Sequence, residues 1–590
     1  MSGKTPERNM DSEFVDAGHG DGSDDDQVAP EVGVEADNDV KLADLDTKDF
    51  KEVPLWEAPE GPIYDDRDAG PTNLPSGHEK FTPLQIMLLF FTPTLLEVIV
   101  VQTNLYYLQS LANNAKQDPL LTVCELTTWI GLHMMMVSQW SKSQDSYWNG
   151  TGGFDASVYM TRGRFYWIKR YLHFNDTDAM PSPDSPDWDP LYRIRPLVDT
   201  VNAMFSKYWK LSAYVSLDEM MIAFKGHNPF HCYIPRKPNP NGTKMHAICD
   251  AIHFFCVQLL VDDKTTRTIV SIARILFLSN VMPGMTVITD RYYTCTALVR
   301  YCLALGVGFI GSTMTQRFLA KHVFVGWSKA VAEHKPRGTF KVATSACSRV
   351  ANIIWKDKGV VRLTCTAGAS VRCRLVRRAR GQSSFYVCAP LVAKLFDQYF
   401  HGVDRNDQLR GSNYGLALHF RAKKYTVKMF LGILDIVLSN SFIMWRRLHP
   451  KDQKKHRAWF NRVAEELVAY NPNDDPVYRK ETASGYRDVH ALTRFNYSKA
   501  RTSTKRLERK QAECPMCSTS LKRRRSSCGC VTCNVALHPG PCTRDWHSLT
   551  PEDRKRKKPR YKKLDFDMDF SDLESVSTLT TSTSNTPRSQ

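Results

Sequence analysis

Polar and apolar positions fall into stretches of different period, and each period predicts a different kind of element. Residues 1–80 are rich in Asp, Gly, Ser and Pro with no sustained apolar period, which predicts a disordered leader. From residue 81 to 213 the spacing is helical. Leu121 to Val137 sets Trp129, Ile130, Leu132 and Met136 on one face, and Met160 to Phe174 and Arg193 to Leu211 read as further helices. Near residue 214 the pattern turns to strands: Val215 to Phe224, two strands or a hairpin over Lys244 to Val261, and the short run MTVITD from Met285 to Asp290. Thr294 to Leu305 then reads as a helix and Val307 to Gly311 as a strand, which together predict a mixed α/β sheet over 214–313. Short strand candidates spaced by turn residues make 314–395 a β-rich insertion. Helices resume at Val403, and Lys423 to Arg447 is a long one with a wide apolar face, so 396–450 returns to the α/β unit. Residues 451–512 read as a helical and then basic linker, 513–548 as a compact Cys/His module, and 549–590 as a basic run and a disordered Ser/Thr tail.

The most apolar stretch, Leu84 to Val101, contains Pro93 and Glu97. A charge at the centre of a spanning helix costs about 2.5–3.5 kcal/mol, so the stretch is expected as buried helix and no membrane partner is expected. The N-terminus lacks the basic and apolar regions of a secretory signal.

Charge sharpens this division. The chain of 590 residues carries 79 Lys+Arg against 62 Asp+Glu, a formal charge of +17. Residues 1–80 hold 22 acids and 7 bases, so the remainder holds 40 acids and 72 bases. A body that basic behind an acidic leader points to a polyanionic partner, with nucleic acid first and an anionic membrane surface as the competitor.

Two groups of residues carry candidate chemistry. Asp218 lies inside a predicted strand, Asp290 ends one and Asp404 opens a helix. Carboxylates meeting from separate elements of a mixed sheet could hold Mg²⁺ or Mn²⁺, whose preferred ligands are hard oxygens. Two such ions stabilise the attacking and leaving oxygens of phosphoryl transfer. The alternative is that these acids are satisfied by local backbone donors at strand ends and a helix start. The second group is Cys514-x2-Cys517, Cys530-x2-Cys533, His538, Cys542 and His547, with Cys528 as a possible eighth ligand. Paired C-x2-C motifs followed by His and Cys predict Zn²⁺, with eight ligands making two four-coordinate sites in a cross-braced module. Lys522, Arg523, Arg524 and Arg525 inside it are candidate phosphate contacts. A ubiquitin ligase or histone-tail reader would share the ligand pattern. The ten cysteines upstream are expected as buried reduced thiols.

The motifs around the three aspartates resemble those of piggyBac-type transposases. SLDEMMIAFKGHNPFHCYIPRKP from Ser216 to Pro238, followed by NGTKMHAICD, is similar to the family's first catalytic block. Asp290-Arg291-Tyr292-Tyr293-Thr294 is similar to the second, and Gly402-Val403-Asp404-Arg405-Asn406-Asp407-Gln408 to the third. The resemblance covers about 81–548. It implies an RNase H-like catalytic domain with Asp218, Asp290 and Asp404 as catalytic and metal-binding residues and Asp407 as a supporting acid. It further implies a helical dimerisation and DNA-binding region, with Arg162, Arg164, Lys423 and Lys424 on DNA, and a Cys-rich module that reads terminal inverted repeats. The expected activity is metal-dependent cut-and-paste cleavage and strand transfer at TTAA targets by a nuclear homodimer. The run Arg554 to Lys563 suits a nuclear localisation signal. The rival expectation is a domesticated relative that binds DNA and no longer cuts it. Departures from the pattern are His401 where a second Gly is usual, Arg291 after the second aspartate, and Tyr425 in place of a Trp.

Overall fold

The computed structural model describes residues 50–111, 118–141, 143–235, 237, 239–264, 268–327, 334–378, 383–411, 414–452 and 455–472, with short strand segments between 492 and 536. The leader up to residue 49, most of the Cys/His module, the basic run 554–563 and the Ser/Thr tail lie outside the described residues.

Two short strands, β1 (Lys51–Val53) and β2 (Gly70–Pro71), precede the helical region. That region holds α1 (Pro83–Phe90), α2 (Pro93–Ser110), α3 (Val123–Ser138), α4 (Arg162–Tyr171) and α5 (Arg195–Tyr208). Threonine starts four of these five helices. Thr82 and Thr122 form capping boxes with Gln85 and Glu125, and Thr92 and Thr161 accept from the third backbone N–H of their helices. Pro83 and Pro93 each follow their cap at the position where proline loses no helical hydrogen bond. The apolar run from Leu84 therefore breaks at Thr92-Pro93, and α1 and α2 meet at a 66° bend.

The strands follow: β3 (Trp209–Lys210), β4 (Tyr214–Ala223), β5 (His231–Tyr233), β6 (Asn241–Asp250) and β7 (Cys256–Val261). Next come α6 (Thr268–Leu278), β8 (Thr286–Thr289), α7 (Thr296–Ala304) and β9 (Gly308–Ser312). Then β10 (Phe340–Thr344), β11 (Ala351–Lys356), β12 (Val360–Cys365), β13 (Arg372–Arg377) and β14 (Phe385–Pro390) lead into α8 (Leu391–Tyr399), α9 (Gly402–Arg410), α10 (Leu416–His419), α11 (Tyr425–Leu448) and α12 (His456–Val468).

Ten strands make one mixed sheet in the order β1-β10-β11-β12-β9-β8-β4-β6-β5, with β7 also paired to β6. β4, β6 and β7 are antiparallel, whereas β8 runs parallel to β4 and β9 parallel to β8. β10 to β12 are antiparallel and extend this sheet through the β9–β12 pair; β13 and β14 form a separate ribbon. α8 falls at the end of the stretch that the turn pattern assigned to strands. Val392 and Ala393 are buried there, and Leu395, Phe396 and Tyr399 pack beside them at helical spacing, a period hidden by the preceding β14.

One hydrophobic core joins the helical region to the sheet. Phe90 packs on Phe205 and Phe255, and Phe91, Trp129 and Phe174 all meet Phe430 of α11. α11 is long and apolar enough to cross a membrane, but 94% of its apolar window is buried inside the fold. Its composition is that of a helix surrounded by protein. A second, smaller core lies under β10 to β14, built on Trp56, Ile353, Trp355 and Val387. Of the ten cysteines before the Cys/His module, all free thiols, only Cys249, Cys256, Cys302 and Cys365 are buried. Five are half-buried and Cys347 is exposed, which corrects the expectation that all would be core residues.

Candidate active site

The three aspartates arrive at one end of the sheet from three elements. β4 and β8 run parallel with Leu217 beside Thr289, so Asp218 and Asp290 occupy the next rung, where β8 ends and β4 continues. Ligands of open α/β sheets bind beyond such carboxyl ends. A tight turn fixes Asp290. Its Oδ1 accepts from the backbone N–H of Tyr292 at 2.8 Å and of Tyr293 at 3.3 Å, and Thr294 Oγ1 donates to its carbonyl at 2.8 Å. Asp404 comes from the first turn of α9. Ser216 of β4 donates to the Phe400 carbonyl at 2.7 Å, pulling the chain before α9 against the strand. A Cβ on Gly402 would sit 2.8 Å from Ser216 Cβ and 3.2 Å from Ala251 Cα. Only glycine lets α9 start that close to β4, which is the physical content of the Gly in the third block.

Asp218 is buried, and burial together with the carboxylates of Glu219, Asp290 and Asp404 holds its carboxyl well above the usual range. Asp290 is also raised, by burial and then Glu219, although the N–H groups of Tyr293 and Tyr292 and the Arg291 charge oppose this. Asp404 is half-exposed, with His401 Nδ1 at 3.5 Å from its carboxylate. Asp407 sits one turn further along α9 and is held by Arg410, whose guanidinium also donates to the Met221 carbonyl at 2.8 Å. Among the described residues, no three His, Cys, Asp or Glu side chains are gathered closely enough to form a finished metal cage. The donor chemistry of Asp218, Asp290 and Asp404 nevertheless suits a hard divalent cation. All are oxygen ligands, and Asp218 carries a repulsion that a cation would relieve.

Sequence reasoning missed the groups that surround this site. Glu219 pairs with Lys237 at 3.2 Å. Burial disfavours the Lys237 charge, but Glu219, Asp218 and Asp404 outweigh it and raise the ammonium pKa. On β6, Lys244 and His246 share a face and reach the two tyrosines after Asp290. Lys244 Nζ lies 3.1 Å from Tyr292 Oη, and His246 Nδ1 lies 2.9 Å from Tyr293 Oη. Burial, and then Lys244, push the His246 pKa down to about 4, so its ring is neutral at pH 7. The G-x-K motif and the aromatic pair were visible in the sequence, but not that they touch.

The expected DNA contacts differ among themselves. Arg162 is exposed and pairs with Asp145 at 2.8 Å. Arg164 is internal. It binds both oxygens of Glu125 at 2.7 and 2.8 Å, donates to the carbonyls of Pro119 and Leu120, and lies over the Trp167 ring, which leaves it little to offer a phosphate. Lys423 is exposed. Lys424 donates to the Arg170 carbonyl at 2.6 Å, and burial and then Arg170 lower its pKa to about 8. Cys514 is described and buried; Cys528, Cys530 and Arg525 are described only as strand backbone. Cys517, Cys533, His538, Cys542 and His547, with Lys522, Arg523 and Arg524, lie outside the described residues.

With this arrangement on the page, the chain can be placed among known proteins. Residues 82–442, more than half of the chain, match the family model described as Transposase IS4, and the chain belongs to this transposase family as one of its piggyBac-like members. It is similar to piggyBac transposable element-derived protein 3 of Homo sapiens, 22% identical over 497 residues that span 79% of this chain and 76% of the relative. It is also similar to piggyBac transposable element-derived protein 2 of Homo sapiens, 24% identical over 401 residues that span 62% of each. Among solved structures it is similar to the chain in the cryo-EM structure of the piggyBac transposase synaptic complex with hairpin DNA. That match has a TM-score of 0.56 and 18% identity, and covers 70% of this chain and 84% of the other. The likeness carries the fold, a mixed α/β architecture on one large mixed sheet.

Proposed function

We propose that this protein is a piggyBac-like DNA transposase that cuts at terminal inverted repeats and joins the freed 3′ ends to TTAA targets. The observation that carries this reading is the meeting of Asp218, Asp290 and Asp404 from β4, the end of β8 and the first turn of α9, with the Asp218 carboxyl raised by burial first and then by Glu219, Asp290 and Asp404. We read β7-β6-β4-β8-β9 as an RNase H-like unit. Asp218, Asp290 and Asp404 would hold Mg²⁺ or Mn²⁺, which supplies charge stabilisation to the attacking and leaving oxygens of an in-line phosphoryl transfer. The protein's own part is positioning. The Asp290 turn and the Ser216–Phe400 bond fix two of the carboxylates, Asp407 and Arg410 anchor α9 to β4, and Lys237 offsets the negative charge beside them. The Cys/His module would bind two Zn²⁺ and read the repeats, and the protein would act as a homodimer in the nucleus.

The test is excision from a plasmid carrying the gene's own flanking repeats, with Mg²⁺. The wild type should excise, and Asp218→Asn, Asp290→Asn and Asp404→Asn should each drop to background while retaining DNA affinity. A wild type that binds these repeats and never cuts them would replace this reading with that of a domesticated DNA-binding protein.

A further inference from the structure

Part of the positive charge of the body lies in a place that neither the acid site nor the Cys/His module accounts for. From Lys358 to Phe396 the chain holds eight Lys and Arg and no Asp or Glu. Much of this charge lies on the ribbon β13–β14, which is not part of the central sheet. β13 alternates with the period of a strand. Leu375 is buried in the smaller core, and Arg377 on the same face is tied to Asp357 at 3.0 Å and Asp397 at 2.7 Å. Arg372, Arg374 and Val376 take the opposite face, and all three are exposed. The register sets Tyr386 opposite Val376 and Cys388 opposite Arg374, so Tyr386, 68% exposed, stands on this outer face too. Arg378 follows directly and is also exposed.

The two faces treat arginine differently. Arg377 is neutralised by two carboxylates. Arg372 has the Phe340 ring at 5.0 Å and the Cys388 thiol at 3.7 Å, and Arg374 has the Tyr386 ring at 6.0 Å. Among the described residues neither has an acidic partner. Guanidinium forks left uncompensated beside an exposed aromatic ring match a phosphodiester backbone. A two-stranded ribbon also fits the major groove of B-DNA, whereas that of A-form RNA is too narrow to admit it.

We propose that the outer face of β13–β14 is a duplex-DNA contact surface, with Arg372 and Arg374 on backbone phosphates and Tyr386, next along the face beyond Arg374, packed against the same backbone. The proposal takes the identity of the polyanion from the transposase reading and rests on residues outside the acid site. It predicts phosphate contacts that position DNA without reading sequence.

The experiment uses the full-length protein and a duplex of arbitrary sequence, titrated by fluorescence anisotropy over a series of salt concentrations. Each phosphate contact contributes about 0.9 to the slope of log affinity against log salt. Arg372→Gln/Arg374→Gln should therefore lower the slope by about 2, to the same extent on a duplex carrying the flanking repeats. Its thermal midpoint should match the wild type, because both side chains are exposed. Arg377→Gln should do the reverse, lowering the midpoint and leaving the slope. A folded double variant with the wild-type slope overturns the proposal, and the face then serves an acidic protein, the acidic leader, or nothing. A wild type without salt-dependent duplex affinity overturns the proposal and the DNA reading together, so the two failures are told apart.

Discussion

Asp218 and Asp250 stand on neighbouring strands of one sheet, both buried, and the fold treats their charges in opposite ways. Asp250, at the end of β6, receives six donors: the Ser212 N–H and Oγ, Trp209 Nε1, the Ile252 and His253 N–H groups, and the His253 ring, all between 2.8 and 3.3 Å. Burial works against its charge, but His253 and Ser212 outweigh it and hold the carboxyl below its ordinary value. Asp218 accepts the Glu219 N–H at 2.7 Å and otherwise faces the carboxylates of Glu219, Asp290 and Asp404, with the Lys237 ammonium that pairs with Glu219 as the nearby positive charge. Burial alone therefore does not mark a reactive acid. The supply of donors separates the two: Asp250 is complete as it stands, whereas around Asp218 the Lys237 ammonium leaves an excess of negative charge that a cation would balance. Asp435 of α11 lies between the two. It caps α10 through the N–H groups of Leu416 and Ala417 at 2.7 and 2.9 Å, yet burial still pushes it to about 7.

The sharpest way to break the contrast is to neutralise each acid. Asp218→Asn should reduce DNA cleavage to background without lowering the thermal midpoint in metal-free buffer, because it removes a repelled charge. If the midpoint collapses, Asp218 is a structural acid like Asp250. Asp250→Ala should do the opposite. It orphans the buried donors around it and should cost on the order of 3 kcal/mol in urea unfolding.

A pH series separates them further. Asp435 has a folded-state pKa raised from 3.8 to about 7, so it binds its proton more tightly folded than unfolded. Its contribution to stability is full below 3.8 and is lost as pH rises to about 7. Asp250, whose pKa is depressed, contributes above its ordinary value and loses that contribution as pH falls through the folded one. Asp435→Asn should flatten the decline between 3.8 and about 7; an unchanged curve would show that Asp435 stays ionised.

Smaller effects test how α9 is placed. Gly402→Ala drives a methyl into Ser216 and should cost about 1–3 kcal/mol, with a larger proportional loss of cleavage as Asp404 is displaced. Ser216→Ala removes one hydrogen bond and should cost about 1 kcal/mol. Equal cleavage by the wild type and the Gly402→Ala protein would detach the α9 contact from the site.

Much of the fold was legible because apolar period and turn residues are local. β4 was expected at Val215 to Phe224 and lies at Tyr214–Ala223, and the long helix expected from Lys423 to Arg447 lies at Tyr425–Leu448. The run MTVITD likewise gave β8 with Asp290 just past its end. The aspartates were legible only through the motifs around them, since a strand-end acid looks the same in the sequence whether donors or carboxylates await it. Lys237 beside Glu219 and Lys244 beside Tyr292 were not legible, because tertiary approach makes both contacts. The Arg164–Glu125 pair was hidden for the same reason, since its partners lie 39 residues apart. The outward arginines of β13 follow a plain period of two, but that they have no acidic partner among the described residues shows only once the chain is folded.

The central claim is that the acid end of the sheet is built to receive a divalent cation. The direct measurement is Mn²⁺ titration of the full-length, Zn²⁺-loaded protein, with free Mn²⁺ followed by electron paramagnetic resonance. The wild type should bind Mn²⁺ saturably, and the folded Asp218→Asn/Asp290→Asn/Asp404→Asn protein should lose that binding. A triple variant that binds Mn²⁺ as the wild type does, or a wild type that binds none, would contradict the claim.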